Sequence, residues 1–171
     1  MTDYGRRVLE QIMPELVAAG LYIVSGMMYG VDQEAHKLCL KHGGKTIAVL
    51  GYGLNYPGIV REDQKMKEMI LTGGGLVISE WDRQGGTLWT FPQRDRIMAG
   101  LADKVLVVEA AVKSGSMLTV AWAKKFGKEI LAVPGPITSK VSAGTNSLVA
   151  EGRARMVLSA EDILYSFCLE K

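Results

Sequence analysis

The stretch LYIVSGMMYGVD, residues 21–32, passes from a short apolar run through a glycine-containing turn into the start of a helical pattern. A buried strand, a glycine turn and a helix form the repeating unit of α/β folds, because glycine allows a sharp turn where the strand ends. The helical pattern continues over 32–42, and a second apolar run, TIAVL, follows at 46–50. The stretch therefore predicts a strand–helix–strand unit.

The same alternation extends over the rest of the chain. Apolar runs recur at 76–79, 105–109, 130–133 and, more weakly, 155–158, between helical patterns at 4–19, 62–71, 115–126 and 160–167, with Ser159 as an N-cap. Short runs without strict alternation are typical of strands that helices cover on both faces of a parallel sheet. We predict a Rossmann-like three-layer α/β/α fold with a mostly parallel sheet, formed by residues 1–171 as a single domain.

The predicted fold lacks one element at its beginning. Doubly wound sheets normally open on a strand, which is usually central, whereas this sequence opens on a helical pattern. We therefore expect the first strand to be missing and the sequence to be truncated at its N-terminus.

Composition limits the classes of function. The chain has 171 residues, of which 48% are hydrophobic and 22% charged, enough to form a core. Its net charge of +2 is too small to argue for nucleic-acid binding. A nucleic-acid site would therefore depend on local clusters of Lys and Arg. Cys39 and Cys168 lie far apart without metal-binding spacing, which predicts reduced thiols in a cytoplasmic protein. We find no signal-peptide pattern, and no apolar run approaches the roughly 20 residues of a membrane span.

Four segments rich in glycine and polar residues follow predicted strands, where open α/β sheets bind their ligands. In the first, residues 25–32, glycines let the backbone approach a ligand and Tyr29 offers a ring that can stack on a base or simply pack in the loop. Asp32 is expected to cap the following helix. The fourth, residues 134–146, contains Gly144-Thr145-Asn146, which suits either a phosphate contact or ordinary turn chemistry.

The second and third segments carry the cations. Arg94 and Arg96 flank Asp95 just after Trp89 and Phe91. The arginines and aromatic rings suit a single-strand groove, or else Asp95 pairs with one arginine while the other lies on the surface. Lys113 precedes Ser114-Gly115-Ser116 at a predicted helix start, which indicates an anion cradle or a plain serine N-cap.

The sequence contains few residue patterns that are typical of catalytic or metal-binding sites. Asp32, His36 and Cys39 share a helix face, but the favoured interpretation is that His36 is satisfied by Asp32 instead of binding metal. Glu80 and Glu109 end two strands and are candidate general bases in a nucleotide-processing enzyme. We predict no catalytic residue, no metal and no cofactor.

Taken together in order and spacing, these segments resemble the DNA-processing protein A (DprA/Smf) family. The resemblance covers residues 4 to about 164 and departs from the usual family pattern at Asp95, where Asn is common, and at Met28-Tyr29, where Ala-Arg is common. The matching motifs are SGMMYGVD at 25–32, GGKTIAVLG at 43–51, FPQRDRIMAGL at 91–101, KSGSMLT at 113–119, VPGP at 133–136 and SAGTN at 142–146.

The resemblance implies an extended Rossmann fold that binds single-stranded DNA without strong sequence preference and without known enzymatic activity. Such proteins protect incoming strands in natural transformation and help load the RecA recombinase. They act as homodimers, here through residues 148–164, and they usually carry a helical N-terminal domain and often a winged-helix C-terminal domain, neither of which we identify here. Carried over position by position, the DNA-binding residues are Ser25, Gly26, Tyr29, Gly30, Phe91, Arg94, Arg96, Lys113, Ser114, Gly115, Ser116 and Asn146.

The alternative is a nucleotide-binding module or a phosphoribohydrolase of the lonely-guy and lysine-decarboxylase-like group, which shares this fold. The PGGxGTxxE motif of those enzymes is not found, because the glycines at 73–75 lack the Pro, Thr and Glu.

Overall fold

The computed structural model describes residues 1–168, with side chains described as far as residue 165. The side chain of Cys168, predicted as a reduced thiol, lies outside the described residues. Helices and strands alternate in the order α1 Asp3–Ala18, β1 Ile23–Ser25, α2 Val31–Lys41, β2 Thr46–Val49, α3 Arg61–Thr72, β3 Leu76–Ile78, α4 Thr90–Leu101, β4 Lys104–Val107, α5 Ser116–Lys125, β5 Glu129–Ala132, α6 Ala143–Ala150, β6 Arg155–Met156 and α7 Ala160–Cys168.

The elements agree with the sequence patterns except at α4 and at α6, whose first turn includes residues 143–146 of the segment that we treated as a loop. Each predicted strand and helix forms within two residues of its expected bounds, and Ser159 accepts a hydrogen bond from the amide of Asp162 as an N-cap does. No helix was assigned to the FPQRDRIMAGL motif, yet this motif forms α4. Pro92 is compatible with that helix because it lies in the first turn, where a missing amide breaks no intrahelical bond.

The strands form two parallel sheets of three instead of the single sheet that we expected. One has the order β1-β2-β3, with Val24 opposite Ile47, and the other has the order β4-β5-β6, with Val105 opposite Ile130. β1 and β4 are the facing edges, and a cleft lined by both strands lies between them. That cleft is where a doubly wound fold has its central first strand, the element that we predicted to be missing.

Helices cover both faces, which confirms the three-layer architecture. On one face Ile12 and Leu16 of α1 pack with Ile163 of α7 against β5. On the other face a second buried cluster joins Val120 of α5 and Leu148 of α6 to the opposite sides of β4 and β5. None of the helices within residues 1–168 is long and apolar enough to cross a membrane.

Helix α1 connects the two sheets. Leu9 and Met13 pack with Leu38 of α2 and with Val108 at the end of β4. At its N-terminus, the Thr2 side chain accepts a hydrogen bond from the amide of Gly5, while the Thr2 amide and hydroxyl donate to the Glu109 carboxylate. The carboxyl ends of β1 and β4 are therefore held at the same edge of the molecule.

Candidate nucleic-acid interface

The loop after β1 is fixed by the acidic residue that follows it. Asp32, in the first turn of α2, accepts hydrogen bonds from the Ser25 hydroxyl at 2.9 Å and from the Met28 amide at 3.2 Å. Gly30 has a φ of 104°, a backbone conformation that favours glycine, and it leads the chain into α2. The loop is therefore ordered from within, and it leaves the ring of Tyr29 exposed.

Arg94 supports this loop from beneath. Its Nη1 donates to the carbonyl oxygen of Val49 at 2.6 Å and its Nε to Asp95 at 3.1 Å, and the residue is only 4% exposed. A Cβ at Gly26 would overlap the guanidinium and the Asp32 carboxylate, so a larger residue there would displace both side chains. Burial raises the pKa of the Asp95 carboxyl, while the Arg94 charge opposes that rise. The structure thus places Arg94 inside the protein, unlike the solvent-facing phosphate contact expected from sequence.

Arg96 lies on the surface, two residues further along α4. Its guanidinium forms an ion pair with Glu80, and both side chains are partly exposed. The arrangement matches the alternative in which Asp95 pairs with one arginine and the other lies outside. It also engages Glu80, one of the two candidate general bases, in a surface ion pair.

The aromatic residues at the start of α4 differ in exposure. Phe91 is partly buried because its ring packs closely against Gly51 and Gly86. Trp89, by contrast, is 79% exposed and lies immediately before the first helical residue, Thr90. The sequence identified Trp89 as a neighbour of the arginine segment but not as a binding residue, and its exposure makes it the more available stacking surface.

The segment after β4 presents a cation and a helix N-terminus together. Lys113 and Ser116 are exposed, and α5 begins at Ser116. Gly115 occupies the N-cap position without a side-chain cap, so the serine N-cap alternative is wrong, and the Ser114 hydroxyl oxygen one residue earlier accepts from the Ser116 amide at 3.3 Å. The positive end of the helix dipole and Lys113 both favour an anion at this point.

Asn146 faces the protein and not the solvent-exposed loops. Its Oδ1 accepts from the Gly135 amide and its Nδ2 donates to the Gly135 carbonyl, both at 3.0 Å. This pair of bonds fixes the loop after β5, whose Pro134 carbonyl also accepts from the Tyr4 hydroxyl at 2.5 Å. The side chain is therefore committed to loop geometry, although sequence suggested a DNA contact.

A buried histidine completes the support of the β1 loop. His36 Nδ1 lies 2.6 Å from the Thr46 hydroxyl and Nε2 lies 2.7 Å from the Gly26 carbonyl, so the expected partner Asp32 is wrong. Burial lowers the pKa of His36, which keeps the ring neutral. Burial also raises the pKa of the Cys39 thiol to about 11. Across residues 1–168, no three His, Cys, Asp or Glu side chains gather closely enough to hold a metal ion.

The family follows from comparison of the whole chain. The sequence profile of the family described as DNA recombination-mediator protein A matches residues 1–168. The chain belongs to this family. Protein Smf of Escherichia coli K12 is 40% identical over 164 residues, which cover 94% of this chain and 43% of Smf. DNA processing protein DprA of Streptococcus pneumoniae is 39% identical over 166 residues, 95% of this chain and 57% of that protein. The chain thus spans roughly half the length of these curated relatives.

Solved structures confirm the predicted fold. The X-ray structure of DprA from Streptococcus pneumoniae superposes with a TM-score of 0.85 at 35% identity, covering 96% of this chain and 57% of that one. DprA from Helicobacter pylori, whose structure concerns its unique single-stranded DNA binding mode, superposes with a TM-score of 0.86 at 27% identity. That match covers 99% of this chain and 76% of the Helicobacter chain.

Proposed function

We propose that this domain binds single-stranded DNA on a strand-end surface, defined by the exposed side chains of Tyr29, Trp89, Arg96 and Lys113. The observation that carries the proposal is that Tyr29, Trp89 and Lys113 are exposed on the three loops that follow β1, β3 and β4, while Arg96 is partly exposed on α4. Rings stack on any base and cations track the phosphates, so the combination suits binding without sequence preference. Single-stranded DNA binding by the Helicobacter pylori relative supports the same assignment.

The remaining predicted DNA-binding residues have distinct parts in this proposal. Ser25, Gly26 and Gly30 shape the loop that carries Tyr29, and the backbone at 114–116 offers amides to a phosphate. The buried residues act indirectly. Arg94 and Asn146 hold loops in place, and the ring of Phe91 packs the start of α4 against Gly51 and Gly86. The domain positions DNA and carries out no catalysis on it.

In the cell, we propose that the protein acts in the cytoplasm as one domain over 1–171, protects single strands during natural transformation and helps load RecA.

We further propose a homodimer through residues 148–164. Exposed apolar side chains in that region support this proposal, with Met156 at 45% and Leu158 at 67% exposure. Leu158→Lys should convert a dimer into monomers in sedimentation velocity, and an unchanged dimer would place the interface elsewhere.

The DNA proposal is tested by fluorescence anisotropy with labelled oligo-dT at increasing salt. Affinity should fall steeply between about 50 and 200 mM salt, because bound phosphates release counterions. Lys113→Ala should weaken binding and flatten the salt slope by about one charge. The matched control is Lys41→Ala, because Lys41 is an exposed lysine at the carboxyl end of α2. This variant should leave both the affinity and the salt slope unchanged.

Hydrolysis of nucleoside monophosphates by the same preparation distinguishes the enzyme alternative. Turnover without salt-sensitive DNA binding would favour a phosphoribohydrolase and overturn the proposal. DNA binding that is equal in the Lys113→Ala and Lys41→Ala variants would show that the strand-end surface is wrongly assigned.

A further inference from the structure

The loops after β4 and β5 contain matching β-turns. A backbone hydrogen bond of 3.0 Å closes a turn from Ala111 to Ser114, and one of 2.9 Å closes a turn from Pro136 to Ser139. Both bonds join an amide to the carbonyl three residues earlier, which is the bond that defines a closed β-turn. We call these two segments the paired turns.

The paired turns follow neighbouring strands at equal distances. Val107 of β4 is opposite Ala132 of β5, and the first central residue of each turn, Val112 or Ile137, comes five positions after its strand residue. Paired strands lie about 4.8 Å apart, so the two loops leave the sheet side by side. A backbone bond of 2.8 Å from the first turn of α6 to the Ala110 carbonyl then ties one loop to the other.

Each of the paired turns exposes a branched apolar side chain with a lysine close to it in sequence. Ile137 is 94% exposed and Val112 is 58% exposed. Lys113 follows Val112 directly, and Lys140 follows Ile137 by three residues. Both lysines are exposed, and neither forms an ion pair with a side chain that the structure describes. Cations beside apolar groups suit a ligand that has both phosphates and apolar faces, as single-stranded DNA does.

The turn that carries Ile137 is braced on both sides. Before the turn, the Asn146 side chain bonds to both backbone groups of Gly135. After the turn, the amide of the buried Ser142 donates to the Ser139 carbonyl at 3.1 Å. An ordered backbone therefore holds the Ile137 side chain in solvent, which limits the conformational entropy that is lost when this side chain binds a ligand.

We propose that the paired turns are a second part of the DNA-binding surface, in which Ile137 inserts between two neighbouring bases while Lys113 and Lys140 contact phosphates. The inference rests on the proposed function, because it requires single-stranded DNA to cross the carboxyl ends of the strands. It adds a different mode of contact. Tyr29 and Trp89 offer flat rings on which a base can stack, whereas a branched aliphatic side chain has no flat face and acts as a wedge between bases.

Insertion of Ile137 has two effects on affinity that oppose each other. It buries the apolar surface of the side chain, which favours binding, and it separates two stacked bases, which disfavours binding. The side chain should therefore alter the conformation of the bound DNA more than it alters the affinity. A measurement of base stacking is accordingly the sharper test.

The test uses an oligonucleotide in which 2-aminopurine alternates with adenine, so that every binding register contains a reporter. Stacking quenches 2-aminopurine fluorescence, and separation from a neighbouring base restores it. With all of the DNA bound, the fluorescence should be severalfold higher for the wild-type protein than for Ile137→Ser. Tyr29 and Trp89 are present in both proteins, so the difference reports on Ile137 alone.

Two further variants provide the controls for the stacking measurement. Ile137→Leu should retain the high fluorescence, and so should Thr138→Ala, at the other exposed central position of the same turn. The affinities of all four proteins in anisotropy should differ by less than about tenfold, because burial and unstacking offset each other. Their melting temperatures should agree, since Ile137 is almost fully exposed.

The phosphate contact of Lys140 has its own test. Lys140→Ala should flatten the salt dependence of binding by about one charge, as expected for Lys113→Ala, whereas Lys41→Ala should not. A salt slope equal to that of the wild type would remove Lys140 from the DNA surface.

Failure of this inference is distinguishable from failure of the proposed function. Equal fluorescence of DNA fully bound to the wild-type protein and to Ile137→Ser would overturn the insertion of Ile137 and leave the proposed function in place. If the wild-type protein shows no salt-sensitive binding of the oligonucleotide in anisotropy, both are overturned.

Discussion

The Arg94 guanidinium donates a hydrogen bond to the carbonyl oxygen of Val49 at 2.6 Å, which ties α4 to the end of β2. The same group pairs with Asp95 and lies directly under Gly26. Its charge is therefore neutralised inside the protein, at the point where three structural elements meet. Arg94 therefore supports the loop that presents Tyr29.

Arg94→Ala is expected to destabilise the fold strongly. The substitution leaves the Asp95 carboxylate buried without its partner, and breaking a buried pair in this way costs about 3–5 kcal/mol. Urea unfolding measures the loss. Arg96→Ala is the matched control, because its ion pair with Glu80 is exposed and contributes about 0–1 kcal/mol. Similar losses in the two variants would contradict the supporting role of Arg94.

The sequence did not predict that one of the two arginines is buried and the other lies on the surface. Apolar runs and glycines predicted every strand, because burial on both faces leaves a direct signature in the sequence. The helix over the arginine motif had no such signature, and its apolar periodicity is weak. Once α4 is known, residues 94 and 96 are separated by about 200° around the helix, so one faces the core and the other faces solvent.

Asn146 shows a second limit of the sequence. An amide near a strand end suits a ligand, but it suits the backbone of a neighbouring loop equally well. The choice depends on the position of Gly135, eleven residues earlier, which no local pattern encodes. The family resemblance placed both residues in matching motifs without distinguishing contact with DNA from support of the loop.

Stability is expected to depend on pH through His36. Burial lowers the pKa of His36 below its ordinary value of 6.5, so the unfolded chain takes up a proton before the folded one does. Its contribution is therefore complete above pH 6.5 and is lost as pH falls toward the folded pKa, with a slope of up to about 1.4 kcal/mol per pH unit. His36→Gln should flatten this part of the profile of unfolding free energy against pH.

The control for this experiment is His42→Gln. His42 is exposed just after α2, so this substitution removes an imidazole without disturbing the buried contacts of His36. Asp63 and Asp95 act in the opposite sense at lower pH, because burial raises the pKa of each above 3.8. Subtracting the His36→Gln curve from the wild-type curve removes the contribution of Asp63 and Asp95 to the unfolding free energy. If the remaining difference does not vary with pH, the role given to His36 is contradicted.

Asn146→Ala is expected to loosen the loop after β5. The Gly135 amide and carbonyl both lose their partner, which costs about 1–3 kcal/mol where the groups are shielded from water. Urea unfolding and hydrogen exchange at the Gly135 amide measure the effect. Ser147→Ala, which removes a hydroxyl bonded to Glu151 at the surface, should change neither quantity. Unaltered exchange at Gly135 in Asn146→Ala would show that the loop is held by other contacts.

Trp89→Ala is expected to weaken DNA binding without changing stability. The ring is 79% exposed in the free protein, so its removal opens no cavity, while the loss of stacking on a base costs about 1–3 kcal/mol. Anisotropy with oligo-dT should show roughly a 5- to 150-fold loss of affinity. Trp89→Phe should retain most of the affinity, since the smaller ring still stacks. Leu88→Ala, at the adjacent and even more exposed position, should bind like the wild type. If Trp89→Ala and Leu88→Ala bind equally well, the base-stacking surface lies elsewhere, and Tyr29 becomes the residue to test.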